Sequence, residues 1–238
     1  MSQVENSKTS DASGSASESL QTPRVTLRRR PDKAHYDFET IAKILDRTYL
    51  CHVGFVVDGQ PYVIPTNFGR QGRRLFIHGS AASRMLLNLT DKVSVCITVT
   101  LLDGLVLARS IFNHSVNHES VVILGQAKLV PEAEKLAALE VISEQAIPGR
   151  WKDARAPNAH ELSVTSVLEV EIAEASAKVR KGPPMDDEED LGYRCWAGEL
   201  PLRVEPQSLV ADPRMDPSIA VPDYLLPGIR KRPWNVGD

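Results

Sequence analysis

The sequence predicts a mainly β protein, an antiparallel barrel or sandwich with peripheral helices. Six or seven strand-like segments follow one another, and most are joined by short turn signals such as Asp58-Gly59. These segments do not alternate regularly with helices, as the strands of a parallel sheet do. The 238 residues, of which 42% are hydrophobic and 25% charged, can form one domain of ordinary size with a buried core.

The chain begins with a Ser-rich stretch and a helix. Residues 1–22 hold few large apolar side chains, which predicts a disordered tail ahead of a barrel domain over residues 23–180. An amphipathic helix is predicted from Asp37 to Leu50, with Asp37 as its cap, because apolar residues recur there at helical spacing. These apolar residues are Phe38, Ile41, Ile44 and Leu45.

Three antiparallel strands are predicted between this helix and residue 80. They cover residues 51–57, 62–68 and 75–78, with turns at Asp58-Gly59 and at 69–72. Pro65 lacks the N–H that a strand ladder requires. Its strand is therefore predicted to be interrupted or to lie at a sheet edge at that point.

The stretch from Leu75 to Arg84 is the first candidate for a ligand site. Its apolar run stops at Gly79, and a new apolar pattern opens at Ser83, which is typical of a strand, a tight turn and a short helix. The helix start offers backbone N–H groups, the hydroxyls of Ser80 and Ser83 and the Arg84 guanidinium to one point, which suits a phosphate. Taken alone, the stretch is more typical of a capped helix that carries a surface arginine than of a phosphate site.

The second half of the chain predicts further strands. Val93 to Leu102 is almost continuously apolar and β-branched, which predicts a strand buried on both faces. Asp103-Gly104 predicts a turn, and two strands are expected after it, over 105–111 and 120–130, with a polar segment at 112–119 between them.

The chain closes with a helix, a strand and an irregular extension. The helix is predicted from Pro131 to about Ala146 and the last strand over 164–172. Residues 181–238 are rich in proline and lack periodicity, which predicts an extension that packs on the barrel irregularly. Trp196 and Trp234 are its expected anchors.

Composition narrows the classes of function. The net charge of −3 and a pI near 6.1 argue against a nucleic-acid partner. No stretch reaches the roughly 18 apolar residues of a membrane span, and the N-terminus has no hydrophobic signal core, so we expect a cytoplasmic protein without a membrane partner. Three widely spaced cysteines form no C-x-x-C pair, and neither common nucleotide-binding motif, G-x-G-x-x-G or G-x-x-x-x-G-K-[ST], occurs.

Several motifs occur in a fixed order. They are Gly-Gln-Pro-Tyr-Val-Ile-Pro-Thr at 59–66, Leu-Phe-Ile-His-Gly-Ser-Ala-Ala-Ser-Arg at 75–84, His-Ser-Val-Asn at 114–117 and Glu-Ala-Ser-Ala-Lys-Val-Arg-Lys-Gly-Pro-Pro at 174–184. In this combination, over about residues 26–204, the chain resembles the pyridoxamine 5′-phosphate oxidase-like flavoproteins, and among them the nitroimidazole-resistance type. The resemblance implies an antiparallel split β-barrel that forms a homodimer and binds FMN at the subunit interface.

The resemblance also implies roles for individual residues. The FMN phosphate and ribityl chain are assigned to His78, Gly79, Ser80, Ser83 and Arg84, and the isoalloxazine ring to Pro65, Thr66 and Asn67. Lys178 and Arg180 are assigned to the rim of the site. Ile77, Ser115 and Asn117 complete the expected cofactor-binding set. No catalytic residue is assigned.

The sequence departs from the family at one place. Relatives tend to read His-Ser-Met-Asn-Tyr-Arg-Ser, whereas this chain reads His-Ser-Val-Asn-His-Glu-Ser at 114–120, so that Glu119 reverses a charge. His114, His118 and Glu119 could ligate a metal, but no group that would support such ligands can be named, and we expect no metal. If this segment approaches the flavin, binding or specificity should differ from that of the relatives.

The expected activity is that of an FMN-dependent oxidoreductase that reduces a small oxidised substrate. True pyridoxamine phosphate oxidase activity is less favoured, because no residues can be assigned to a second phosphate. Two alternatives stay open: a non-catalytic flavin-binding or flavin-sensing protein, and a barrel that binds haem through a histidine. A homodimer is also expected from the apolar surface of Val93–Leu102 and the segments after it.

Overall fold

The computed structural model describes residues 19–83, 85–86 and 91–226. Within these residues the chain forms one antiparallel sheet of nine strands. The strands are β1 Ala34–His35, β2 Leu50–Val57, β3 Gln60–Gln71, β4 Arg74–Ser80, β5 Asp91–Leu107, β6 Ser115–Leu129, β7 Thr165–Glu171, β8 Glu174–Arg180 and β9 Gly198–Pro201.

Six of the strands close into a barrel. Their order is β6-β7-β4-β3-β2-β5, and the pairing of β5 with β6 completes the ring. The other edge of β6 is shared by two strands: residues 127–129 pair with β7 of the ring, and residues 118–124 pair with β8, which lies outside it. Strand β1 extends the sheet beyond β8, and β9 extends it beyond β5. The predicted antiparallel barrel with peripheral helices is confirmed.

Alternate apolar side chains fill the barrel. Phe68, Leu75 and Ile97 are completely buried in one continuous core. Helix α1, Phe38–Leu45, adds Ile41, Ile44 and Leu45 to the same core. Asp37 caps this helix by accepting a hydrogen bond of 2.8 Å from the Thr40 N–H, as predicted, but the helix ends before Leu50 because that residue begins β2.

A second helix packs on the outside of the barrel. Helix α2, Glu132–Ala146, follows the predicted bounds and lies directly on β3. A Cβ at Gly69 would lie 2.6 Å from the backbone of Ile142, so only glycine allows this approach. Two short helices, α3 Arg150–Asp153 and α4 Ala159–Ser163, lead from α2 to β7.

Two of the predicted turns are wrong. Strand β3 continues through residues 69–71 and ends at Gln71, and the turn is made by Gly72 and Arg73, where Gly72 adopts a φ of +57°. Strand β5 likewise continues through Asp103-Gly104 to Leu107, with an irregularity in its pairing to β6 between Leu102 and Gly104.

Four other strand predictions also need correction. There is no separate strand over 105–111, and β6 begins at Ser115, inside the segment expected to be a polar connection. Val93–Leu102 is not buried on both faces, because buried residues alternate with more exposed ones. Strand β8 follows the strand that was predicted to be the last.

On either side of the barrel, one apolar residue differs in burial from what the sequence predicts. Leu20, at the end of the stretch predicted to be a tail, is buried, and its N–H donates to the Tyr36 carbonyl at 2.8 Å. Residues 1–18 and Trp234 lie outside the described residues. Trp196 is 67% exposed in the chain and does not anchor the extension in a core. In the described part of the chain, no helix is long and apolar enough to cross a membrane.

Candidate functional site

Strands β3 and β4 separate from each other and leave a gap, called here the β3–β4 gap, between residues 60–67 and 78–80. The two strands pair only over 68–71 and 74–77. Beyond this point residues 60–67 keep β2 as a partner and residues 78–80 keep β7, so neither edge has a strand partner on the gap side among the described residues. Such edges present backbone N–H and C=O groups to a neighbouring molecule.

The β3 residues that were assigned to the isoalloxazine ring lie on the free edge. Pro65 and Asn67 are exposed and Thr66 is half-buried. The predicted edge position of Pro65 is confirmed, because a residue without an N–H removes no ladder bond there.

The turn after β4 holds two hydroxyl groups with hydrogens to donate. Ser80 Oγ accepts a hydrogen bond from the Ala82 N–H at 3.3 Å, and Ser83 Oγ accepts one from the Leu86 N–H at 3.2 Å. Ser83 is therefore the helix cap that the sequence predicted. Because each hydroxyl acts as an acceptor in these bonds, it keeps its own hydrogen for a ligand oxygen. Arg84, the predicted cation of this group, lies outside the described residues.

His78 and Gly79 lie on the β4 side of the gap. Burial lowers the pKa of His78, so its imidazole is neutral at pH 7. The His78 Nδ1 atom is buried and has no hydrogen-bond partner among the described residues. Gly79 leaves the backbone open to close approach. Ile77 is completely buried in the core, so only its backbone can reach a ligand.

The other predicted site residues lie elsewhere on the barrel. Ser115 and Asn117 belong to β6, and Lys178 and Arg180 belong to β8. Strands β8 and β4 are separated by β6 and β7, which places them three strand spacings apart, about 14 Å along the sheet. Within one chain, the structure does not bring this group to the β3–β4 gap.

Asn117 and Arg180 are part of a closed network. The Arg180 guanidinium is buried and donates to Asn117 Oδ1, to the Gly182 carbonyl at 2.5 Å and to the Pro183 carbonyl at 3.0 Å. Asn117 Nδ2 in turn donates to Glu199 Oε2 at 2.5 Å. These groups satisfy one another, and the network ties β6 and β8 to β9.

An ion-pair cluster lies beside this network and was not predicted from the sequence. Glu119 is buried, and its Oε1 lies 2.8 Å from both Arg47 Nη1 and Lys181 Nζ. Asp103 Oδ1 is 4.0 Å from Arg47 Nη2. These four residues line a cavity of about 310 Å³ together with residues of the closed network. They come from four separate parts of the chain, so no sequence spacing reveals them.

The pKa values of two carboxyl groups in the cluster are shifted in opposite directions. Burial, followed by the nearby Glu119, raises the pKa of Asp103. Burial alone would raise the pKa of Glu119 as well, but hydrogen bonds and charge interactions with Lys181 and Arg47 hold it below its ordinary value. Two cations, Arg47 and Lys181, therefore balance the charge of the buried Glu119 carboxylate.

The histidines near Glu119 do not form a metal site with it. His118 Nδ1 lies 3.2 Å from the Val116 carbonyl, and His114 is exposed. In the described parts of the chain, no three His, Cys, Asp or Glu side chains are grouped so that they could hold a metal ion.

Comparison with known families and structures gives two kinds of match. The sequence profile of the pyridoxamine 5′-phosphate oxidase family matches residues 37–179, which is more than half of the chain. A search of curated proteins found no match.

Three solved structures are similar to this chain. The flavocytochrome Anf3 from Azotobacter vinelandii is 43% identical with a TM-score of 0.81, covering 87% of this chain and 96% of that one. A FAD and haem binding protein from Mycobacterium smegmatis is 32% identical with a TM-score of 0.78, covering 81% and 95%. A 5-nitroimidazole antibiotic resistance protein from Bacteroides thetaiotaomicron is 26% identical with a TM-score of 0.52, covering 61% and 86%. The predicted resemblance is confirmed, and the two proteins named for haem as well as flavin match more of the chain.

Proposed function

The chain belongs to the pyridoxamine 5′-phosphate oxidase family, and from this premise we propose that it is a flavin-binding redox protein whose flavin site is shared by two copies of the chain. The observation that carries the proposal is the β3–β4 gap, where free strand edges and two donor hydroxyls come together. Bound flavin would supply electron transfer, and the chain would supply position and hydrogen bonds.

The residues at the gap fit the parts of a flavin. Ser80 and Ser83 offer hydroxyl hydrogens to the phosphate next to the ribityl chain, and Gly79 allows that phosphate to approach the backbone. The free edge of β3 offers backbone groups to the polar rim of the ring, beside Thr66 and Asn67.

The position of the second group of predicted residues supports the proposal of a homodimer. Ser115, Asn117, Lys178 and Arg180 are on β6 and β8, away from the gap of their own chain. In a two-fold dimer the β6 and β8 surface of one copy can cover the gap of the other, so that Ser115 and Lys178, which lie outside the closed network, contribute to that copy's site. The small oxidised substrate expected from the sequence would then meet the flavin at the seam between the copies.

We propose FAD as the flavin, in place of the FMN predicted from the sequence. The prediction of FMN rested on a single phosphate-sized group at residues 80–84, and a full-length relative at 32% identity is named for FAD. FMN carries one phosphate, whereas FAD carries two phosphates and an adenosine, so chromatography of the flavin released by acid distinguishes them.

Haem is the second cofactor that we propose. Two relatives that match over most of their length are named as a flavocytochrome and as a FAD and haem binding protein. In this chain the neutral imidazole of His78, with its unpartnered Nδ1 atom, has the protonation state that a haem ligand requires.

The visible spectrum of the purified protein tests both cofactors. We expect flavin bands near those of free flavin together with a Soret band, and FAD among the products of acid release. His78→Gln should remove the Soret band and leave flavin bound, whereas His160→Gln, at an exposed histidine on α4, should change neither. A spectrum without flavin would contradict the proposed function, and release of FMN alone would restore the first prediction.

Anaerobic reduction tests the redox role. After reduction by dithionite, the flavin should be reoxidised by a small oxidised substrate such as a nitroaromatic compound. A flavin that is reduced but is not reoxidised by any such compound would favour the non-catalytic alternative.

A further inference from the structure

The segment after β9 leaves the body of the protein and returns to it. This segment, residues 202–222, is called here the strap. At its start the Leu202 N–H donates to the Asp103 carbonyl at 3.0 Å, directly after β9 pairs with β5. The first end of the strap is therefore fixed on its own barrel.

The other end of the strap is also held by its own chain. Arg150 Nη1 donates to the Tyr224 hydroxyl at 2.9 Å, and that hydroxyl donates to Asp153 Oδ2. The Tyr224 side chain lies over Gly149, where an added Cβ would be 3.4 Å away from it. Both ends of the strap thus have defined positions.

Between these ends every residue from 202 to 221 is exposed. The exposed apolar side chains include Val210 at 94%, Val204 at 77% and Ile219 at 57%. Four prolines, at 206, 213, 217 and 222, restrict the backbone and lower the entropy that a fixed conformation costs. Connections longer than about 12–15 residues without secondary structure are uncommon in compact domains and are usually functional or linkers.

A patch of apolar side chains is exposed where the strap begins. Leu105 of β5 lies opposite Val116 of β6 and Leu200 of β9, so these three residues are neighbours across three strands. They are 37%, 38% and 49% exposed. The strap could reach back over this apolar patch, since its length allows about 70 Å of extended chain, but it does not cover the patch.

We propose that the strap of one copy packs on the apolar patch of a second copy. This inference rests on the homodimer of the proposed function. The chain carries both an uncovered apolar strap and an uncovered apolar patch, next to each other at the end of β9. In an isologous pair one contact covers both surfaces on both copies, whereas a different partner would have to supply two complementary surfaces of its own.

Photocrosslinking tests which chain the strap contacts. A benzophenone amino acid replaces Val210 in unlabelled protein, and the flavin-loaded protein is mixed with a tenfold excess of ¹⁵N-labelled wild-type protein, allowed to exchange subunits and irradiated. We expect crosslinks from position 210 to ¹⁵N peptides that contain residues 102–116. Crosslinks confined to unlabelled peptides, or none at all from a dimeric sample, would overturn the inference.

A charged substitution in the strap gives a second measurement. Val210→Glu places one carboxylate in each of the two strap–patch contacts of the dimer. The dimer dissociation constant should therefore rise about 100-fold or more in sedimentation experiments. Leu136→Glu, at an exposed leucine of α2, is the matched control and should leave the constant within about threefold of wild type. An unchanged constant for Val210→Glu would contradict the proposed contact.

The same samples separate failure of the inference from failure of the proposed function. A flavin-bound dimer whose strap crosslinks only within its own chain refutes the strap contact and leaves the shared flavin site intact. A monomer that retains full flavin refutes the shared site itself, and with it the strap contact.

Discussion

Two polar regions of the barrel treat their hydrogen-bonding groups in opposite ways. Around Arg180, the buried guanidinium and the buried Asn117 side chain find all their partners within the chain, on β6, on β9 and in the segment after β8. At the β3–β4 gap, strand edges lack partners among the described residues, and the His78 Nδ1 atom is buried without one.

In the first region the polar groups stabilise the fold, whereas in the second they are open to bind a ligand. A buried polar group without a partner costs about 1–3 kcal/mol, so groups left open at a gap are compensated when a bound molecule supplies their partners. Substitutions should therefore reduce stability at the closed network and the ion-pair cluster, and reduce ligand affinity at the gap.

The largest effect is expected from Arg180→Met. The substitution leaves Asn117 Oδ1 and the carbonyls of Gly182 and Pro183 without their donor. Only Asn117 Oδ1 is left buried without a partner, at a cost of about 1–3 kcal/mol, and with the lost bonds to the two carbonyls the free energy of unfolding should fall by about 3 kcal/mol in urea titrations. Lys178→Met, at a half-buried residue of the same strand, is the control and should change stability by less than about 0.5 kcal/mol. If Arg180→Met left the free energy of unfolding unchanged but abolished flavin binding, Arg180 would belong to the flavin site and not to the closed network.

A smaller loss is expected from Glu119→Gln. The neutral amide weakens the contacts to Arg47 and Lys181, and the free energy of unfolding should fall by about 2 kcal/mol at pH 7. Because the pKa of Glu119 is held below its ordinary value, its contribution is present above that value and is lost as pH falls through the folded pKa. The difference between wild type and variant should therefore shrink between pH 7 and pH 3.

The control for this pair is Glu140→Gln, at an exposed carboxylate of α2. It should leave the free energy of unfolding nearly unchanged at both pH values. A constant difference between wild type and Glu119→Gln across this range would show that the ion pairs do not stabilise the fold.

At the gap, Gly79→Ala should change affinity more than stability. The added Cβ would lie 3.1 Å from Leu86 Cδ2, the end of a flexible side chain, so unfolding should shift by less than about 1 kcal/mol. The methyl group also occupies the surface proposed for the flavin phosphate, and flavin affinity should fall about tenfold in fluorescence titrations. Gly192→Ala, where no atom lies within 4 Å, is the matched control. Equal affinity of both variants would place the phosphate elsewhere.

The smallest effect concerns His78 and pH. Burial lowers its pKa, so below the ordinary value near 6.5 the unfolded chain takes up a proton before the folded chain does, and stability falls. His78→Gln should therefore lose less stability than wild type between pH 8 and pH 5 when the cofactor-free proteins are unfolded in urea. The control His160→Gln should follow the wild type. If the free energies of unfolding of wild type and His78→Gln changed equally with pH, the pKa of His78 would be the same in the folded and unfolded states.

The sequence by itself determined the elements whose signals are local. Asp37 caps α1 and Ser83 caps the following turn because a side-chain oxygen reaches an N–H only three residues away. The edge position of Pro65 follows from the missing N–H of one residue. The combination of motifs at 59–66, 75–84, 114–117 and 174–184 indicated the family for a similar reason, since the residues of each motif are consecutive.

The tertiary structure alone decided the features that join distant parts of the chain. Asp103-Gly104 reads as a turn, but pairing with β6 and β9 carries the strand through it, and a Cβ at Gly104 would lie 2.8 Å from the Leu200 carbonyl. Strand β8 escaped prediction because its buried residues are the small Ala175, Ser176 and Ala177 and the charged Arg180, which show no apolar alternation. Which strands become neighbours decides that Arg47 and Lys181 surround Glu119 and that the predicted site residues fall into two groups. The order of strands in the sheet is set by long-range pairing, which no local spacing encodes.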